Sequence, residues 1–152
     1  MEDNLLNLND IFVDMSFNSR DEFFNFITKH LRDENKIKSN FKNNILEREN
    51  SFPTGLDTGK IGVALPHTDY KYSNTNQLVI TTLADPLSFQ RMDDPDRVIR
   101  VSIIILILFD KPEKQPTILK KIMEVIQNQK ILQQIKDQNS AENVLKILKK
   151  YK

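Results

Sequence analysis

Residues 61–69 read IGVALPHTD: a short apolar run leads through a proline to one of only two histidines in this 152-residue chain. Pro66 fixes its own φ and favours extended geometry in the residue before it, so the backbone that enters His67 is stiffened. Two of the chain's three glycines, Gly59 and Gly62, lie just upstream, where they permit a tight turn or a close approach of two backbones. The pattern predicts a strand end that presents His67 to a partner.

The segment before this strand predicts one short strand and two helices. Residues 11–15 are typical of an opening strand. Ser19 and Glu22 have the spacing of a capping box, so we expect a helix to begin there. A second helix is expected over residues 39–52, and Pro53 ends it or lies just beyond its end.

The segment that follows predicts further strands and then helices. The expected strands cover residues 61–64, 77–84 and 98–109, and the expected loops cover residues 70–76 and 89–96. The last of these strands is almost unbroken in apolar residues, as expected of a strand covered on both faces. Apolar residues then recur at helical spacing in three stretches, and the last stretch begins at the N-cap Ser140 and carries Tyr151. Helices before and after a central group of strands predict a single domain, residues 1–152, with a sheet covered on both faces.

Composition excludes several classes of function. A hydrophobic content of 39% and a charged content of 28% are typical of a soluble globular protein, and a net charge of +1 gives no support for nucleic-acid binding. The absence of cysteine excludes disulfides, thiolate metal sites and a cysteine nucleophile. The longest apolar run, residues 103–109, is too short for a membrane span of about 20 residues. The first residues lack the basic start of a signal peptide, so we expect a cytoplasmic protein.

Residues 46–69, which include LEREN at 46–50 and PTG at 53–55, resemble the phosphohistidine site of the fructose/mannitol-type enzyme IIA family of the bacterial sugar phosphotransferase system. The stretch 53–69 is most similar to the galactitol-type branch. The resemblance implies an α/β fold with a mixed, mostly parallel sheet flanked by helices. It also implies that His67 accepts phosphate from the phosphocarrier HPr and passes it to a cysteine of a cognate IIB, whose IIC partner lies in the membrane. The two histidines lie too far apart in the sequence to predict a metal site, and we expect no cofactor.

His67 has two interpretations on its own residues. A neutral imidazole is a nucleophile near physiological pH and needs no metal to take a phosphoryl group. The alternative is a turn histidine that is hydrogen-bonded to a neighbour. The resemblance favours the nucleophile, and it leaves open whether the protein serves sugar transport or is a regulatory phosphoprotein that signals to a transcription factor or transporter. A binding domain that merely keeps the fold is a third possibility.

Arg48 is the second candidate. On an ideal helix it projects between Phe41, Ile45 and Phe52, and a charge on an apolar face needs a buried carboxylate or a bound anion as its partner. A guanidinium suits phosphate because its planar fork matches two phosphate oxygens. The alternative is that the helix ends early and leaves Arg48 in solvent. The resemblance implies that Arg48 steadies the phosphohistidine.

Accessory candidates lie on either side of His67. Mannitol-type and fructose-type members carry a second histidine after the long strand, where this chain has Gln115 as the positional match and Lys114 as the alternative. Thr54 and Thr68 are candidates to hydrogen-bond the phosphoryl group or to fix the ring tautomer. We read Asp69 as a turn residue. The other histidine, His30, lies on an apolar helix stripe and is expected to be a packing residue.

Overall fold

The computed structural model describes residues 3–150, within which five strands form one sheet with five α-helices around it. The helices are α1 Arg20–Asp33, α2 Phe41–Ser51, α3 Gln115–Ile126, α4 Gln129–Lys136 and α5 Ala141–Lys150. The strands are β1 Ile11–Met15, β2 Gly55–Asp57, β3 Gly62–Ala64, β4 Gln77–Gln90 and β5 Val98–Leu108. Tyr151, expected on the last helix, lies outside the described residues. Among the helices of residues 3–150, none combines the length and the apolar character that a membrane span requires.

The sheet is evenly mixed, with strand order β1-β4-β5-β3-β2. The pairs β1–β4 and β3–β5 are parallel, whereas β4–β5 and β2–β3 are antiparallel. The expectation of a mostly parallel sheet is therefore wrong. Both antiparallel pairs consist of strands that follow each other in the chain across a short loop, which suffices for antiparallel pairing but not for a parallel crossover.

Strand β4 is longer than its sequence predicts. It continues to Gln90, so the expected loop 89–96 is confined to residues after Gln90. The register against β5 shifts between Thr82 and Leu87, and Pro86 lies in that irregular segment. A proline is tolerated at a bulge because the bulged residue is not paired in the ladder, so the missing N–H of proline breaks no hydrogen bond there.

Strand β5 divides the interior into two apolar cores. Its residues Ile103, Ile105 and Ile107 face α3, α4 and α5. Its residues Leu106 and Leu108 face α1 and α2 on the other side of the sheet. Each such aliphatic side chain stabilises the fold by about 1.5–3 kcal/mol when fully buried. The apolar run of β5 and the two-sided cover by helices are confirmed.

The starts of α1 and α5 are also confirmed. The Ser19 hydroxyl oxygen accepts a hydrogen bond from the Glu22 backbone N–H at 3.1 Å. The Ser140 hydroxyl oxygen accepts from the Asn143 N–H at 3.2 Å. Each cap satisfies a backbone donor that has no partner within the helix, which fixes where the helix begins.

Candidate functional site

His67 lies at the edge of the sheet where β5 ends. The chain leaves β3 at Ala64 and continues beside β5: the Ile107 N–H donates to the Pro66 carbonyl at 3.0 Å, and His67 is bridged to Ile107. The close approach of β3 to β5 requires Gly62, since a β-carbon there would lie 2.2 Å from the Arg100 carbonyl oxygen. The strand end expected from the sequence is confirmed.

The His67 ring is held in one tautomer. Its Nδ1 atom lies 2.7 Å from the Leu65 carbonyl oxygen. A carbonyl can only accept, so Nδ1 carries the hydrogen and Nε2 keeps its lone pair in the neutral ring. Within residues 3–150, Nε2 has no hydrogen-bonding partner. The edge of the ring packs against Phe109, with the two centroids 6.1 Å apart.

The surroundings of His67 favour the neutral imidazole. Burial lowers the pKa of His67 from its usual value of 6.5, and the positive charge of Arg48 lowers it further. The hydrogen bond to the Leu65 carbonyl acts in the opposite direction but does not outweigh burial. The ring is therefore neutral near pH 7, with a free lone pair on Nε2, which is the form that acts as a nucleophile.

Arg48 lies beside this ring at the end of α2. Its guanidinium stands over the Phe52 ring, 5.0 Å from the centroid. It lines an open cavity of about 250 Å³ together with Thr68, the residue directly after His67, and with Lys71. In the described range, no carboxylate is ion-paired with Arg48. The cavity wall thus carries two cations and also the carboxylates of Glu47 and Asp69, and it reaches the residue next to His67 in the chain. The planar donor fork of Arg48 is the group in this wall that is suited to a phosphoryl group.

The projection that placed Arg48 on an apolar face is wrong. Helix α2 buries Phe41, Ile45 and Glu49, whereas Arg48 is exposed and Phe52 is 64% exposed. The helix ends at Ser51 and Phe52 leaves helical geometry, so the last turn presents Arg48 and Phe52 to solvent.

Glu49 and Thr54 form a buried pair that sequence analysis missed. The two Glu49 oxygens accept from the Thr54 backbone N–H and from the Thr54 hydroxyl, both at 2.7 Å. Burial raises the pKa of Glu49 to about 7, although both Thr54 bonds act to lower it. Glu49 continues the four-residue spacing of Phe41 and Ile45, but Arg48 fits the same stripe, so periodicity alone does not single out Glu49.

The accessory candidates divide. Thr54 is not hydrogen-bonded to the His67 ring: Nδ1 donates to the Leu65 carbonyl, and the Thr54 hydroxyl donates to Glu49. Thr68 is buried and lines the cavity. Asp69 caps a short 3-10 turn by accepting from the Lys71 N–H at 3.1 Å, which confirms it as a turn residue. That turn brings Lys71 to the cavity, a residue the sequence did not single out.

Gln115 and Lys114 are not part of the cavity wall. Gln115 is the first residue of α3 and is half-buried, and Lys114 is exposed in the 3-10 turn before it. Among the described residues, neither side chain is hydrogen-bonded to His67. The exchange of the second histidine for an amide at Gln115 stays a prediction.

His30 belongs to a separate polar cluster. It packs edge-on against Phe12, as expected, but its Nε2 also lies 2.8 Å from Asp10 Oδ1. Burial raises the pKa of Asp10, but hydrogen bonds involving Glu34, Lys36, Gln77 and His30 outweigh it and lower the pKa to about 2. The ligand atoms of Asp10, His30 and Glu34 lie within 4.8 Å of one another, but the ammonium of Lys36 already contacts the Asp10 carboxylate. The cluster is an ion-pair network that joins α1 to β4.

Comparison with known proteins gives the family. The sequence profile described as "Phosphoenolpyruvate-dependent sugar phosphotransferase system, EIIA 2" matches residues 4–151. The chain belongs to this EIIA family. It is a component of the sugar phosphotransferase system, and the resemblance stated from residues 46–69 is confirmed.

Named relatives agree with this assignment. The galactitol-specific EIIA component of Escherichia coli K12 is 23% identical over 119 residues, which cover 78% of this chain and 79% of the relative. The crystal structure of IIA mannitol from E. coli superposes with a TM-score of 0.76 at 17% identity, covering 94% of this chain and 98% of that one. The nitrogen regulatory protein IIA-Ntr of Neisseria meningitidis gives 0.74 at 21% identity, covering 95% and 96%. These structures share the fold of this EIIA chain.

Proposed function

We propose that this protein is a phosphocarrier: it accepts a phosphoryl group from phospho-HPr on Nε2 of His67 and passes it to the cysteine of a cognate IIB during sugar uptake. The observation that carries the proposal is the bond between His67 Nδ1 and the Leu65 carbonyl, which leaves the Nε2 lone pair free. Neutrality of the ring near pH 7 supports the same role.

The proposed reaction is two successive in-line displacements. The Nε2 lone pair attacks phosphorus, an N–P bond forms, and the bond between phosphorus and the donor atom of HPr breaks with its electron pair returning to HPr. The IIB thiolate then attacks the same phosphorus, an S–P bond forms, and the electron pair of the N–P bond returns to Nε2. Positioning and charge stabilisation do most of the catalytic work in such transfers.

Arg48 stabilises the phosphoryl group in this scheme. Its guanidinium lines the same cavity as Thr68. The guanidinium also lies close enough to His67 for its positive charge to lower the pKa of the ring. Negative charge spreads over three phosphoryl oxygens as the group moves, and a fixed cation at that point stabilises the transition state more than the ground state. Lys71, which also lines the cavity, supplies a second cation.

Both partners have to reach the same nitrogen, so the site must be open. The cavity beside His67 is open, and its rim presents the exposed ring of Phe52 and the half-buried ring of Tyr72. Modest apolar contacts with a charged rim suit a transient encounter. A related IIA, that of mannitol from E. coli, has been determined in complex with its phosphorylated IIB. The galactitol-specific relatives support a galactitol-like IIB as the acceptor. In this proposal the IIC partner lies in the membrane and the exchange takes place in the cytoplasm.

Reconstitution tests the proposal. The protein is incubated with enzyme I, HPr and labelled phosphoenolpyruvate, and then with a galactitol-type IIB. We expect label on this chain and its transfer to IIB, both abolished in His67→Ala and retained in His30→Gln. Labelling without transfer to any IIB would point to the regulatory role instead. Absence of labelling of the folded wild-type protein would contradict the proposal.

A further inference from the structure

Glu49 is a buried carboxyl group one residue after Arg48. It is 1% exposed, and Thr54, which holds both of its oxygens, is 3% exposed. A buried carboxyl is costly to the fold unless it is hydrogen-bonded, and an apolar residue of similar size at this position would avoid that cost. The pair therefore does more than fill space at the end of α2.

A continuous set of hydrogen bonds leads from this carboxyl to the His67 ring. Glu49 holds the Thr54 N–H and hydroxyl. The Thr54 carbonyl accepts from the Leu65 N–H at 3.3 Å, and the Leu65 carbonyl accepts from His67 Nδ1 at 2.7 Å. Thr54 also leads into β2, whose residue Gly55 pairs with Ala64 of β3. The segment that carries the ring is thus anchored to α2 through Thr54.

We propose that Glu49 positions the imidazole of His67 by holding Thr54 and, through Thr54, the Leu65 carbonyl that accepts the Nδ1 hydrogen. Glu49 is a positioning residue in this scheme, because it does not contact the reacting nitrogen. The catalytic consequence rests on the proposed phosphocarrier function, whereas the structural link to the ring does not. When the Leu65 carbonyl is displaced, the ring loses the bond that sets its tautomer and orientation.

Two substitutions separate the bonding from the charge. In Glu49→Gln, the amide oxygen accepts from the Thr54 N–H while the amide nitrogen donates to the Thr54 hydroxyl oxygen, so both contacts persist. In Glu49→Ala both contacts are lost and the Thr54 N–H is left buried without a partner. Thr28→Val is a matched control, because the Thr28 hydroxyl is equally buried and donates to the Phe24 carbonyl at 2.6 Å within α1.

The test is nitrogen-15 NMR of the unphosphorylated proteins at about pH 8.5, where the ring is neutral. The ratio of the Nδ1–H to the Nε2–H tautomer of His67 is read from the two nitrogen shifts. We expect wild type, Glu49→Gln and Thr28→Val to hold the Nδ1–H tautomer and Glu49→Ala to populate both. Transfer from phospho-HPr should slow about ten- to a hundredfold in Glu49→Ala only, as expected when a reacting group is misplaced by about 1 Å.

A wild-type tautomer ratio and a wild-type transfer rate in Glu49→Ala would overturn the proposal. If Glu49→Ala does not fold, Thr54→Val replaces it: a changed ratio in Thr54→Val but not in Thr28→Val supports the proposal, and unchanged ratios in both overturn it. If the folded wild-type protein takes no phosphate from phospho-HPr, the proposed function fails, and the tautomer ratios still decide whether Glu49 positions His67.

Discussion

The Nδ1 atom of His67 donates to the carbonyl oxygen of Leu65, two residues earlier, across 2.7 Å. The stiff segment Leu65–His67, which runs beside β5, thus uses its own backbone to set the ring tautomer. Pro66 contributes no N–H to the turn, and its carbonyl is held by the Ile107 N–H of β5. The nucleophilic nitrogen is therefore aimed by the backbone of the sheet edge, and the direct partner of Nδ1 is a backbone carbonyl.

Removal of the Arg48 guanidinium should slow phosphoryl transfer and leave the fold intact. The side chain is exposed and stacks on the exposed ring of Phe52, so Arg48→Gln should shift Tm by only about a degree or two. Loss of a cation that meets transition-state charge should slow transfer to IIB by a factor on the order of tens to thousands. Quench-flow transfer rates and thermal unfolding check both effects. Arg32→Gln, an exposed arginine of α1, is the matched control, and a large loss of stability with unimpaired transfer would make Arg48 a structural residue.

The same substitution should raise the pKa of His67. Burial lowers that pKa first and the Arg48 charge adds to the lowering, so Arg48→Gln removes one of the two causes. Titration of the His67 ring by NMR should place the wild-type midpoint below 6.5 and the variant midpoint above the wild-type one. A protonated ring has no free lone pair, so transfer should decline as the pH falls, with a midpoint below 6.5 in the wild type and a higher midpoint in Arg48→Gln. An unchanged midpoint in the variant would mean that Arg48 does not act on the ring.

Glu49 should give stability a pH dependence. Its pKa is about 7 in the fold against 4.5 for an exposed carboxyl, so between these values the folded state holds a proton that the unfolded state has released. Stability from this group is fully present below pH 4.5 and is lost as the pH rises through about 7, by an amount on the order of 3 kcal/mol.

Glu49→Gln should remove that dependence, because an amide does not titrate. Urea unfolding of both proteins between pH 4 and pH 8 measures it, and contributions from His67 cancel in the difference. We expect equal stability near pH 4 and a growing advantage of the variant above pH 5. A constant difference across the range would show that folding does not raise the pKa of Glu49.

Gln115 should have a small effect on transfer. A neutral hydrogen bond contributes about 0.5–1.5 kcal/mol net, so Gln115→Ala should slow transfer by no more than about tenfold. Gln115→His should be tolerated and should add a titration between about pH 5 and 8 that the amide cannot supply. pH–rate profiles of the three proteins check this. If Gln115→Ala does not slow transfer and Lys114→Ala slows it strongly, then Lys114, and not Gln115, takes the place of the second histidine.

Helix caps and apolar patterns predicted most of this fold from the sequence. The wrong predictions concern features that depend on contacts between distant residues. The cap at Ser19 and the apolar run of β5 depend only on residues close by in the sequence, so both can be predicted from the sequence alone. The extent of β4 beyond Pro86 depends on a bulge against β5 that the sequence of β4 does not reveal. Pairing directions depend on the same long-range contacts.

At the site, sequence reasoning found the reactive side chains but misjudged how they are supported. His67 and Arg48 stand out because of residue type and spacing. The face of α2 could not be assigned from periodicity, since Arg48 and Glu49 both fit the stripe of Phe41 and Ile45. The buried residue is Glu49, because the chain after the helix end brings Thr54 next to it and the Thr54 N–H and hydroxyl donate to its carboxylate.

In the proposed function, Nε2 of His67 carries the phosphoryl group, and NMR of the phosphorylated protein observes that bond. The chain is labelled with nitrogen-15 in histidine, phosphorylated with enzyme I, HPr and phosphoenolpyruvate, and its ring nitrogens are observed. We expect a one-bond phosphorus coupling on Nε2 of His67, with Nδ1 still protonated and the resonances of His30 unchanged. A phosphorus coupling on Nδ1 of His67, or on either nitrogen of His30, would contradict the account.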